Sequence, residues 1–270
     1  MRNTKRYQSQ NITFANQLPA CTPNGCTDQT GPERDQSFCI QDVEQGSLPD
    51  CYFMAALASV AWADPNRLGV FATGYKFKRD MVATTLPDKK VATYNGSPCY
   101  ARIGPRGFIW PLLYERAYAV WRGCGNPCTS MNCIVGGAGM QALEDITGYT
   151  KSPVIQPGTW TAATIPNNNG FASVPAVAWT TNGDPGNKIP ADHTFSYLGH
   201  YPAINPAYVV LRNPHGRLAP EPSTNVTRSD TTWYSRAPCP INFKNDKDGI
   251  FALAVQTFKS KFAGIGYVRK

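Results

Sequence analysis

From Tyr52 to Ala63 the chain is apolar on nearly every face. Phe53, Leu57 and Val60/Ala61 recur there at helical spacing, which predicts a helix buried on all sides. Two amphipathic stretches follow. One runs from about Ile109 to Trp121, with Pro111 in its first turn and a stripe of Ile109, Leu112/Leu113, Ala117 and Val120/Trp121. The other is shorter, Met140 to Ile146, and stops at Gly148. After Tyr149 the texture changes. Strand-like runs occupy Ala172–Trp179, His193–Leu198, Tyr208–Arg212 and Ile250–Val255, separated by clusters of Asn, Gly and Pro such as Asn167–Gly170 and Asn182–Gly186. Residues 1 to about 35 are polar and aperiodic, and read as an extended arm. The pattern predicts an arm over 1–35, a helical lobe over 36–150 and a β-rich lobe over 151–270. That is an α+β fold with segregated halves.

Composition sharpens the picture at two points. With 270 residues, 42% hydrophobic and 16% charged, the chain can build a sizeable core and is neither a disordered tail nor a charge-driven polymer binder. Its longest apolar run falls far short of the roughly 20 residues of a membrane span, so no span is expected. The net charge of +8 is scattered over small clusters. Tyr75 and Phe77 interleave with Lys76, Lys78 and Arg79, which could suit a nucleic-acid backbone, but a solvated basic face is the plainer reading and no nucleic-acid partner is expected. The nine cysteines say more. So many are unusual in a reducing cytosol, and the odd count predicts four disulfides plus one free thiol, in a secreted or extracellular setting. Asn-x-Ser/Thr triplets at Asn11, Asn95 and Asn225 are compatible with secretion, although Met1–Arg6 lacks the apolar core of a signal peptide.

One cysteine stands apart. In Gln45-Gly-Ser-Leu-Pro-Asp-Cys51, Ser47 can cap the buried helix, Pro49 suits its first turn, and Asp50 follows the cap at capping-box spacing. Cys51 then lies in the first turn, where free backbone N–H groups and the helix dipole favour a thiolate. The segment alone fits a nucleophile and a buried structural cysteine equally well. Of the three histidines, His193 opens an alternating stretch about 140 residues beyond Cys51, and Asn213 closes the strand Tyr208–Arg212 just before Pro214. A thiol, an imidazole and an orienting amide in that order make a nucleophile, its base and the group that fixes the base's tautomer. His200 and His215 read as surface residues.

With those residues in view, the chain resembles the calpain-type, papain-like cysteine proteases. Gln45-Gly46-x-x-x-Asp50-Cys51-Tyr52 is similar to the family's nucleophile block. Trp110-Pro-Leu-Leu-Tyr-Glu-Arg-Ala-Tyr118 resembles its "LLEKAYAK" helix. Gly136-Gly137 and Ala142-Leu-Glu-Asp-Ile-Thr-Gly148 resemble its glycine pair and "FEDFTGG" stretch, and Leu211-Arg-Asn213-Pro-His-Gly216 its "RNPWG" block. Asp248-Gly-Ile-Phe251 to Phe258 resembles the end of its catalytic core. The blocks keep the family's order from about 39 to 260.

The resemblance implies a papain-like fold with its active site between a helical and a β-rich lobe, acting as an endopeptidase on protein or peptide substrates, and a monomer is expected. It implies Cys51 as nucleophile, His193 as acid/base, Asn213 as its orienter and Gln45 as oxyanion donor, with Gly136 and Gly137 admitting the substrate backbone. Three positions depart from the family: Tyr52 and His215 each stand where it has Trp, and Asp192, beside the scissile bond, stands where it often has Gly. The best-known members carry calcium sites. Here only Asp42 matches an acidic ligand position, the partner region holds the loop Cys124–Cys133, and Asp246–Gly249 reads as a turn. Calcium dependence is therefore expected to be weak or absent, no metal ligands are assigned, and disulfides are expected in that loop rather than zinc. The alternative to an active peptidase is a binding or toxin-like module on the same scaffold. Cys-thioester acyl transfer fits less well, because such enzymes usually pair His with Asp.

Overall fold

The computed structural model describes residues 38–68, 90–183, 189–201, 204–216 and 248–270, with short pieces between them at 23, 25–28, 70–71, 74–77, 82–84, 226–227, 235–236 and 239–240. Most of the expected arm, Cys21, and the triplets at Asn11 and Asn225 lie outside the described residues.

Four helices are described: α1 (Cys51–Ala63), α2 (Trp110–Trp121), α3 (Gly139–Thr147) and α4 (Val255–Lys261). The first is buried along its whole length from Tyr52 to Trp62, which explains why it carries no polar face. Pro111 sits at the start of α2, where its missing N–H costs nothing. Gly148 ends α3 in the left-handed region at φ 67°, donating its N–H to the Glu144 carbonyl. The fourth helix lies in the half read as β-rich. Only seven residues long, it follows a strand without a break, so its period is too short to separate from the strand pattern.

Short strands also occur in the first half: β1 (Val43–Glu44) pairs antiparallel with β2 (Arg102–Ile103). The main sheet is built from β3 (Thr150–Lys151), β4 (Ala176–Trp179), β5 (Thr194–Tyr201), β6 (Tyr208–Arg212), β7 (Ile250–Ala254) and β8 (Gly264–Arg269). Its order is β7-β6-β5-β4-β8-β3, all antiparallel, with Val226–Thr227 outside β7. The strands expected at Tyr208–Arg212 and Ile250–Val255 appear almost as read. His193–Leu198 shifts to Thr194–Tyr201, leaving His193 just ahead of the strand.

The long buried helix is bolted to this sheet by side chains that cross between the two. Ser59 Oγ donates to the Ala176 carbonyl and accepts from the Ala176 N–H, both at 2.7 Å. Ser196 Oγ donates to the Ala55 carbonyl at 2.8 Å, and Trp62 Nε1 to that of Leu198 at 2.9 Å. Apolar packing closes the other side, where Phe53 stacks on Tyr118 of α2 with centroids 4.2 Å apart. Helix and sheet thereby share one continuous core.

Candidate active site

Cys51 is the first residue of α1, with Asp50 at the cap position. The expected Ser47 cap does not form. Ser47 Oγ donates instead to the Cys99 carbonyl at 2.6 Å, and the Asp50 side chain makes no capping bond, because the loop before the helix packs tightly on the segment 99–101. A Cβ on Gly46 would lie 1.2 Å from the Tyr100 carbonyl oxygen, so that approach requires glycine. The loop is pinned from the sheet side as well. The Gln45 N–H donates to the Pro214 carbonyl at 2.8 Å, tying the residues before Cys51 to the turn after β6.

That turn carries Asn213. Its N–H donates to the Gly249 carbonyl at 2.9 Å, and the buried Arg212 before it donates to the Asp248 carbonyl at 2.8 Å and to the Val43 carbonyl of β1. The Asn213 side chain is thereby aimed at His193, whose Nε2 lies 3.0 Å from Asn213 Oδ1. With Nε2–H donating to that oxygen, the tautomer leaves Nδ1 as the acceptor. The same Oδ1 accepts the His215 backbone N–H at 3.1 Å.

Neither His200 nor His215 is the surface residue expected. His200 is 1% exposed and packs edge-on to Trp160, because the strand starting at Thr194 runs on through it. The His215 ring lies parallel to that of His193, with centroids 5.3 Å apart and planes within 4°, so an imidazole covers the face of His193. Burial pushes His193 down to about 4 and His215 down to about 3, the latter helped by the neighbouring His193.

Cys51 is the free cysteine among the described residues. Cys39–Cys239 and Cys124–Cys133 are disulfides, and Cys99 and Cys128 are also disulfide-bonded. Thr194, next to His193, and the Tyr52 backbone lie where they favour the Cys51 thiolate, as the helix start was expected to do. Burial outweighs them, with a smaller push from Asp192, so the thiol is held above its ordinary value.

Asp192 adopts φ 46°, the left-handed region that glycine enters freely and Asp tolerates better than most residues, which accounts for its replacing a glycine. Gly136, at φ 66°, donates its N–H to the Pro49 carbonyl at 2.9 Å, and a Cβ on it would meet nothing within 4 Å. On Gly137 a Cβ would lie 2.6 Å from the Tyr52 ring. Gln45 is buried and its Nε2 donates to the Leu48 carbonyl at 2.7 Å, leaving one amide hydrogen uncommitted by that bond.

The donors around Asp42 do not fit a calcium ion. Its Oδ2 accepts from Trp110 Nε1 at 2.8 Å and from the Arg106 guanidinium at 3.2 Å, so that oxygen faces cationic and N–H donors. Among the described residues no group of three His, Cys, Asp or Glu could hold a metal. No described helix is long and apolar enough to cross a membrane.

A family model described as calpain family cysteine protease matches residues 33–269, nearly the whole chain. The chain belongs to the calpain family of cysteine proteases. Among curated relatives of this calpain-family chain, a thiol protease of Porphyromonas gingivalis (strain ATCC BAA-308 / W83) is 26% identical over 275 residues, covering 84% of this chain and 54% of the relative. The calpain-type cysteine protease ADL1 of Oryza sativa subsp. japonica is 25% identical over 251 residues, covering 83% of this chain and 11% of the relative. Calpain-A of Drosophila melanogaster is 28% identical over 121 residues, covering 40% and 14%. The chain thus spans about half the length of the bacterial relative and a smaller share of the other two.

Two residues at the site escaped the sequence reading. Thr194 has no motif value, and only its position after His193 could have flagged it. Glu115 had a signal: a carboxylate among the apolar residues of α2 is costly to bury without a partner.

Proposed function

We propose that this calpain-family chain is a cysteine endopeptidase that cleaves protein or peptide substrates through Cys51, His193 and Asn213, in a cleft between its helical and β-rich parts. The observation that carries the reading is the 3.0 Å contact of His193 Nε2 with Asn213 Oδ1, made by a histidine whose two chain neighbours, Asp192 and Thr194, both act on the free thiol of Cys51. It leaves Nδ1 as the ring's proton acceptor.

In this reading the Cys51 side chain turns from Thr194 toward His193 when substrate enters. Nδ1 takes the thiol proton as sulfur bonds to the scissile carbonyl carbon. The oxyanion meets the Cys51 N–H and the remaining amide hydrogen of Gln45, a kind of contact that contributes about 3 kcal/mol to lowering the barrier. Collapse breaks the C–N bond, and His193 returns its proton to the leaving amine. Water, deprotonated by His193, then releases the acyl group. Gly136 lies open at its Cβ position and is the natural lane for the substrate backbone.

A non-catalytic binding module is the second reading, favoured by the burial that holds the thiol protonated. The disulfides favour an oxidising compartment for either one. A fluorogenic peptide panel and casein digestion separate the two. The peptidase reading expects turnover that Cys51→Ala abolishes and that a calcium chelator leaves within about twofold, Asp42 Oδ2 being held by Trp110 and Arg106. Turnover surviving in the Cys51→Ala protein would rule out the nucleophile.

A further inference from the structure

Beside Cys51 lies a pair of carboxyl groups that the mechanism above does not use. Asp50 is fully buried and Glu115 is 2% exposed. Each carboxyl acts on the other, so the two lie close together. Glu115 Oε2 accepts the Ala101 N–H at 3.0 Å. Neither Asp50 oxygen nor Glu115 Oε1 finds a hydrogen-bond donor among the described residues, so the one donor left to them is a proton held between the two carboxyl groups. Two carboxylates sealed together cannot both be charged, and a hydrogen bond between them needs a proton.

We propose that Asp50 and Glu115 share one proton and act as a positioning pair, seating the first turn of α1 and with it Cys51. Asp50 is the donor through its O–H, and Glu115 carries the pair's single negative charge. The chain of contacts shows what the pair holds. Glu115 fixes Ala101 from α2, the neighbouring Cys99 and Tyr100 carbonyls receive the Ser47 hydroxyl and the close approach of Gly46, and Asp50 closes the circuit at the helix start. The Asp50 carbonyl meanwhile accepts the Phe53 and Met54 N–H groups, at 2.8 and 3.1 Å.

The titratable groups facing the pair are the Cys51 thiol and Tyr52 phenol from α1 and the Tyr100 phenol from the segment before β2. All three are neutral or become anionic, so none compensates a second negative charge. Burial first, and then the neighbouring carboxyl, holds Asp50 well above the ordinary carboxylate range, and burial also raises Glu115. Because the folded state binds the proton more tightly than the unfolded chain, the pair favours folding at low pH, and that contribution is lost as pH rises through its folded-state titration.

The effect on catalysis rests on the reading of Cys51 as nucleophile; the effect on stability does not. The test compares the intact, disulfide-bonded wild type with Asp50→Asn, Asp50→Ala and Glu115→Gln, by thermal melting from pH 5 to 10 and by kcat/KM over the same range. In Asp50→Asn the amide N–H replaces the O–H as donor to Glu115 and cannot ionise. It should melt within about 3 °C of wild type at pH 6 and lack the wild type's alkaline decline. Its kcat/KM at pH 9.5, relative to pH 7, should exceed the wild-type ratio by at least about threefold. Glu115→Gln, which can still accept from Ala101 and donate to Asp50, leaves Asp50 buried and ionisable, and should weaken the alkaline decline without abolishing it. The proposal is overturned if Asp50→Asn is as unstable at pH 6 as Asp50→Ala, or if it keeps the wild-type alkaline decline. Melting behaviour as expected in a protein with no peptidase activity would retain the pair and refute the peptidase reading; an active enzyme without the melting difference would do the reverse.

Discussion

At His193 the environment is set by two neighbours with different jobs. Asn213 fixes which nitrogen carries the proton, while His215 covers the ring face. A neutral imidazole can cover that face as a flat partner, but a protonated one places a second cation against His193. Both histidines are held below their ordinary value by burial, so the unfolded chain takes up protons that the folded chain refuses as pH falls from about 6.5. Their contribution to stability is complete above that pH and is lost as pH drops toward about 4. Replacing His215 by Phe keeps a flat ring and removes one of the two titrations. The Phe variant should therefore lose less melting temperature than wild type between pH 6.5 and 4. Melting curves at half-unit intervals give the answer, and superimposable acid limbs would show that His215 does not titrate with folding.

Helix α1 is a different kind of problem, because a helix apolar on every side has no face of its own to set its rotation. Its orientation is fixed by polar side chains that reach the sheet: Ser59 to both backbone groups of Ala176, and Ser196 of β5 back to Ala55. These are specific and directional where the surrounding packing is neither. Ser59→Ala leaves a buried N–H and carbonyl of Ala176 short of a partner, and should cost about 2 kcal/mol in urea unfolding. A loss under about 0.5 kcal/mol would mean that packing alone sets the helix rotation. The loop leading into α1 depends in the same way on a shape requirement, the glycine at 46 against Tyr100.

Across the whole molecule, the two described disulfides differ in what they join. Cys39–Cys239 links residues 200 apart, from just before β1 to the stretch between β6 and β7, whereas Cys124–Cys133 closes a loop with a separation of only 9. The first restrains the unfolded chain far more. Loop-closure entropy assigns it about 5 kcal/mol against about 2.5 for the second. Removing each pair with serine substitutions and measuring urea unfolding should reproduce that order, and equal losses would argue against an entropic origin. The long bridge also starts beside Phe38 and Asp42, so it anchors the segment that leads to Gln45.

The sequence by itself determined the parts that depend on local pattern. The all-apolar run could only be a buried helix, Pro111 and Gly148 marked one helix start and one helix end, and alternation located the strands that carry His and Asn at their ends. The odd cysteine was legible as a count, and Cys51 remains the free thiol among the described residues. Only the tertiary structure decided what depends on groups distant in sequence meeting in low dielectric. Ser47 turned to Cys99 instead of capping α1, burial reversed the thiolate preference of the helix start, and His215 moved from an expected surface position onto His193. Asp50 and Glu115, 65 positions apart, met beside Cys51. Local pattern reports which face of an element is apolar. The ionisation state and partner of a polar side chain follow from desolvation and from neighbours that only the folded chain brings together.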